Sequence, residues 1–118
     1  MRQAIAVHDP LQFFAGDSWE IQFDCNDIDN QPLDLTGVLA IEWTLGTVDG
    51  SSVIMTKTLG DAITVLSPPA EGRCLLIVPA GDTAGLAPGY YRDQLRVTYG
   101  DGLVSTQTSG RVQVFMPL

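Results

Sequence analysis

Basic residues are scarce in this chain. Six lysines and arginines stand against fourteen aspartates and glutamates, for a formal charge of −8 over 118 residues. A phosphate-binding surface needs clustered Lys and Arg, and these six are scattered along the sequence, which argues against nucleic acid. The same balance disfavours an anionic membrane surface. The single histidine, His8, falls in an expected N-terminal arm, where it can be placed beside no nucleophile. Two cysteines and one histidine are too few for a zinc site. The glycines show neither phosphate-loop nor dinucleotide spacing. Apolar runs are short: none approaches the roughly 18 residues of a membrane span. The first ten residues lack the apolar stretch of a signal peptide, so synthesis in the cytoplasm is expected. No enzyme activity, catalytic residue, metal or cofactor is therefore expected.

What the chain does have is alternation. Hydrophobic residues make up 45% and charged residues only 17%, the composition of one globular domain. Trp19, Ile21, Phe23 and Cys25 point one way and Glu20, Gln22 and Asp24 the other, which predicts a half-buried strand. Val38 to Leu45 repeats the pattern, with Leu39, Ile41, Trp43 and Leu45 on the apolar face. Asp49-Gly50 marks a hairpin into Val53–Thr58. A short strand at Ile63–Leu66 ends before Pro68-Pro69. Arg73–Val78 is nearly all apolar, which predicts a central strand covered on both faces. Ala80–Leu86 allows one helical turn and, with two glycines, little more. Leu103–Phe115 is the last strand, with Gly110 as its candidate bulge.

The most specific local signal is Leu86-Ala87-Pro88-Gly89-Tyr90-Tyr91, a turn opening into an alternating strand. A Leu-x-Pro-Gly-x-Tyr run there resembles the tyrosine corner of immunoglobulin-like sandwiches, whose hydroxyl bonds upstream backbone. Seven or so strands with regular turn signals predict an all-β, immunoglobulin-like antiparallel β-sandwich over residues 15–118. Residues 1–14 are expected to form an N-terminal arm or an edge strand. Asp93 is the anomaly, because the alternation that buries Tyr91 and Leu95 turns this carboxylate inward too.

Several short motifs recur in a familiar order. Gly16-Asp17 precedes the first strand, Pro32-Leu33-Asp34-Leu35-Thr36-Gly37 precedes the Trp43 strand, and Lys57 sits on the next. Gly72 precedes the apolar strand, and Thr83-x-x-Leu86-x-Pro88-Gly89-x-Tyr91, Leu95-x-Val97 and Gly110-x-Val112-x-Val114 follow. This series resembles the immunoglobulin-like domains of tailed-phage virion proteins, including the N-terminal domain of the baseplate upper protein and related phage and prophage tail or fibre proteins. The resemblance implies a structural module of a tail, baseplate, fibre or head-associated assembly, with other virion proteins as partners. It implies a place in the virion, reached from the host cytoplasm during assembly. The chain carries no fibre or receptor-binding part after Leu118, which favours a small virion or assembly component over an adhesin.

If contacts are the function, the candidate interaction residues are Ile5, Val7, Phe13 and Phe14 of the arm and Tyr90 beside the corner. Adjacent strand residues cannot both face the core, so one of Phe13 and Phe14 is available to a neighbour. Self-association into a homo-oligomer is compatible with open sheet edges. The alternative reading is a carbohydrate-binding module built on Tyr90 and the polar loops. The turn Asp24 to Asn30 is rich in oxygens, but the calcium-loop glycine is missing and Val38 stands where the closing Glu belongs. A loop held by Asx turns is favoured there, with Ca²⁺ left open. Cys25 and Cys74 read as small buried thiols, with a disulfide left open.

Overall fold

The computed structural model describes residues 6–7, 11–27 and 29–118. Its first strands are β1 (Ala6–Val7), β2 (Leu11–Phe14), β3 (Trp19–Asp24) and β4 (Ala40–Thr47). Then come β5 (Val53–Thr58), β6 (Ile63–Val65) and β7 (Arg73–Val78), and last β8 (Gly89–Thr98) and β9 (Val104–Phe115). A 3₁₀ turn at Pro69–Glu71 leads into β7, and the single turn α1 (Ala80–Thr83) follows it.

Two sheets result. The larger runs β1-β9-β8-β4-β5, with β2 also paired to β9, and the smaller runs β3-β7-β6. In an immunoglobulin-like sandwich the second, fifth and fourth strands share one sheet while the third, sixth and seventh share the other. Strands β3, β7 and β6 fill the first set and β4, β8 and β9 the second, with β5 as the added edge strand. The seven strands from β3 to β9 are those the alternation predicts, and the fold is the all-β sandwich expected. Two strands depart from the antiparallel pattern: β1 and β2 run parallel to β9, with Leu11 opposite Val112 and Phe14 opposite Phe115. Residues 11–14 are therefore an edge strand and not a free arm.

The core forms where the two inner faces meet. Trp19, Ile21 and Phe23 of β3 and Cys74, Leu76 and Val78 of β7 face Ile41, Trp43 and Leu45 of β4 and Leu95 and Val97 of β8, all buried. Full burial of such side chains stabilises by about 1.5–3 kcal/mol each, far more than strand propensity supplies. Three details differ from expectation. Strand β4 begins only at Ala40, so the pleat does not reach Leu39, which is 64% exposed. Strand β7 is central within its sheet, yet its outer side is not covered by a further layer among the described residues, and Ile77 is 47% exposed. The bulge in β9 lies at Gln107 and not at Gly110: Leu95 pairs with Thr108 and Arg96 with Thr106, while Gly110 pairs regularly with Asp93. The extra residue shifts the alternation by one, so Gln107 and Thr108 both turn inward.

Candidate interaction surface

Two of the sequence motifs meet at one end of the sandwich. The buried Thr83 hydroxyl accepts from the Gly16 amide (3.0 Å) and donates to the Asp17 carbonyl (2.7 Å). A few residues on, the Tyr91 hydroxyl donates to the Ala87 carbonyl at 2.6 Å, closing the predicted tyrosine corner. These bonds fix the turn before β3, the helical turn α1 and the start of β8 against one another. The same end orients the phenylalanines. The Trp19 indole donates to the Phe14 carbonyl at 3.1 Å, and the Phe13 ring stacks on Trp19 with centroids 4.8 Å apart.

Phe13 is thus held by its own domain and is withdrawn as a contact residue. Strand alternation then sends Phe14 outward, where it is 48% exposed and lies 5.7 Å from the ring of Phe115. Tyr90, at 54% exposure, lies on the same outer face, with the Arg111 guanidinium 5.7 Å from its ring centroid. Ile5 lies outside the described residues, and of Val7 only the backbone pairing with Ser109 is described.

The outer face of the larger sheet also gathers charge that the linear sequence disperses. Arg92 pairs directly with Arg111 across β8 and β9, and Arg96 pairs with Glu42 on β4. Three of the chain's six basic residues therefore share this face, against one carboxylate. They are clustered in space, contrary to the sequence reading. Among the described residues no ion pair engages Arg92, Arg96 or Arg111; the ion pairs present are Lys57 with Asp82 and Arg73 with Glu71. Like charges directly opposite on a sheet are unfavourable, so Arg92 beside Arg111 lowers stability unless something anionic covers them.

Beside Arg92 the face carries a groove of about 250 Å³, lined by Thr44, Thr47, Ser52, Val53 and Gln94 and floored by Gly46. Gly46 is needed there, because a Cβ would come within 2.9 Å of the Ser52 carbonyl and push the β4–β5 hairpin open. The groove offers hydroxyls, an amide and a guanidinium. The carboxylate of Asp93, whose residue also borders it, turns inward instead and accepts from the Trp43 indole.

The oxygen-rich turn is engaged with itself. One oxygen of Asp27 accepts from the amides of Asp29 and Gln31, at 2.9 and 3.0 Å, as Asx turns do. The Asn26 amide is bound from outside the turn by the side chain of Gln107, the bulge residue. Among the described residues no group of three or more His, Cys, Asp or Glu side chains is arranged to hold a metal ion. Cys25 and Cys74 are both free thiols buried in the core. The hydrogen bond between them, followed by burial, pushes the Cys74 thiol far above the usual range, so it stays protonated.

No protein-family model matches the chain, and no curated protein matches it. Solved structures do resemble it. The fibronectin(III)-like modules of CbhA from Clostridium thermocellum align over 92% of this chain and 90% of theirs, at 10% identity and a TM-score of 0.49. CopC from Methylosinus trichosporium OB3b aligns over 85% and 97%, at 12% identity and a TM-score of 0.42. At these values neither likeness bears on function, and the immunoglobulin-like assignment rests on the strand order itself.

Proposed function

We propose that the chain is a non-enzymatic structural component of a phage or prophage virion, working through protein–protein contacts. The motif series from Gly16 to Val114 supports the virion setting. The observation that carries the contact role is the outer sheet face where Phe14, Phe115, Tyr90, Arg92 and Arg111 come together. Exposed Tyr, Phe and Arg on one face are the composition of a protein interface, and such residues dominate binding energy where a partner desolvates them. The hydroxyl at the groove that does meet a carboxylate, Thr47 on Asp49, meets a poor base, since the turn bonds lower that carboxyl to about 2. The chain would be present in the assembled particle at fixed stoichiometry, after incorporation in the host cytoplasm. Mass spectrometry of purified particles tests this, together with deletion of the gene. Particles of normal composition and infectivity that never contain the chain would refute the reading.

A second reading has one observation in its favour. The hydroxyl- and amide-lined groove lies on the same face as exposed Tyr90, the pairing of polar cleft and aromatic ring that sugars use. Arg111 lies over that ring, which leaves less of it for stacking. Glycan-array binding lost on Tyr90→Ala would establish this alternative, and a blank array would remove it.

A further inference from the structure

The two outer faces of this sandwich carry matching patterns of opposite charge. On β8 the outward residues include Arg92, Gln94 and Arg96, and on β3 they are Glu20, Gln22 and Asp24. In each trio the charged residues are four apart, about 13 Å at ~3.3 Å per residue, with a glutamine between them. Each trio has one unlike charge directly across the sheet, Glu42 opposite Arg96 and Arg73 opposite Asp24, yet among the described residues no ion pair involves Arg92, Arg96, Glu20 or Asp24. On the smaller sheet the one nearby cation, Arg73, pairs with Glu71 at 2.9 Å.

We infer that copies of this chain stack face to face, the basic outer face of one on the acidic outer face of the next. This deepens the contact role proposed above and rests on it only for its biological setting. The surroundings select one orientation. Arg92 has Arg111 opposite it, and Asp24 leads into the acidic turn with Asp27 and Asp29, so these two ends meet. Arg96 then meets Glu20. At that end Leu39 and Val104 lie exposed on one copy, and Ile77, paired with Glu20, lies exposed on the other. Net positive charge thus faces net negative charge at the Arg92 end, and apolar surface faces apolar surface at the other, where Glu42 offsets Arg96. Sheets packed in this way lie about 10 Å apart, as they do inside a sandwich. The two faces are different surfaces of one chain, so the contact is heterologous and propagates into a ring or a filament instead of stopping at a dimer.

Sedimentation velocity of the full chain over a concentration series tests this, in low and in physiological salt. The expected result is growth past the dimer that weakens as salt rises. Arg92→Glu with Arg96→Glu, or Glu20→Arg with Asp24→Arg, each weakens association by at least roughly tenfold. Mixing the two double variants restores it, because each then offers the other a complementary face on both sides. Circular dichroism confirms that each variant is folded, and Arg92→Gln with Arg96→Gln serves if charge reversal disturbs the sheet. A chain that stays monomeric at every concentration overturns the inference. So does association that both variants retain, or a mixture that stays dissociated. Retention of the native chain by single-stranded DNA, lost in the Arg92/Arg96 variant, would reassign the basic face to phosphate. Particle composition is a separate measurement, so the virion reading can fail while stacking stands, and the reverse.

Discussion

Trp43 and Asp93, fifty residues apart in sequence, are joined by an indole-to-carboxylate hydrogen bond of 2.9 Å between buried side chains. The bond ties β4 to β8 through their side chains at the centre of the larger sheet, where Asp93 is 2% exposed. It explains why an acidic residue holds an inward position. A buried indole N–H without an acceptor is unfavourable, and here the Asp93 carboxylate supplies one. Asp93→Ala should lower stability by about 2–3 kcal/mol, because it leaves the donor unpaired. Asp93→Asn, which keeps an acceptor, should cost less. Urea unfolding followed by tryptophan fluorescence measures both, and equal losses would show that the bond is not what holds Asp93 inside.

The tyrosine corner gives a milder test. The Tyr91 ring is only half-buried and its hydroxyl gives one bond, to Ala87. Tyr91→Phe should therefore cost about 0.5–1.5 kcal/mol, the ordinary net value of a single hydrogen bond. Self-association should be unchanged, since the hydroxyl is used within the chain. A variant as stable as the parent would remove the corner from the account of the fold.

Phe13 and Phe14 should separate cleanly. Phe13→Ala removes the ring stacked on Trp19, and about 2–3 kcal/mol should be lost, below the range for a fully buried Phe. Phe14→Ala should stay within about 0.5 kcal/mol, as exposed positions do. Thermal unfolding of the two variants checks the orientation of β2 directly, and a reversed order would place the wrong ring inside.

Acid should loosen the β4–β5 hairpin at a low and defined pH. The Asp49 carboxyl is lowered from 3.8 to about 2 by the Ser51 amide, then by the Ser51 and Thr47 hydroxyls that bond to it. A folded-state value below the unfolded one means that the ionised form is favoured by folding. Its contribution is complete above the unfolded value and is lost as pH falls through the folded one. The change should fall between about pH 4 and pH 2, and Asp49→Asn should flatten it. Amide exchange in the Thr47–Ser52 turn reports it, and an unaltered pH profile in Asp49→Asn would count against the carboxylate.

Both thiols should be silent in the folded protein. Cys25 and Cys74 are buried in the core beyond reach of a reagent, so a thiol-reactive chromophore should label neither until denaturant is added. Unfolding should then release both at once. Prompt labelling in buffer would mean that the smaller sheet opens far more readily than its packing implies.

Much of the sandwich can be read from the chain because alternation is a direct record of one-sided burial. Trp19 to Cys25 alternate with every inward residue buried, and the Leu86–Tyr91 turn lies where its proline and glycine place it. Reading fails where an outcome depends on pairing between distant segments. Nothing near Gln107 announces a bulge, because the slip is set by how β9 meets β8. The apolar run of β7 reflects its place between β3 and β6, while Ile77 on its outer side stays exposed. The arginine cluster is hidden for the same reason: Arg111 is far from Arg92 in sequence and becomes its neighbour only through the sheet register. Tyr90 can be named from alternation alone, but not which of Phe13 and Phe14 turns outward, nor the face that Phe14 and Tyr90 share.

The parallel pairing of β2 with β9 has a consequence for the order in which the protein can be made. Residues 11–14 are synthesised about a hundred positions before their partners, residues 112–115. Contacts this distant in sequence slow folding, because a long loop must close before they form. Until then the backbone edge of β2 has no strand of its own sheet to join. The growing chain must therefore keep its beginning soluble until its final strand arrives, and the acidic surface is well suited to that wait.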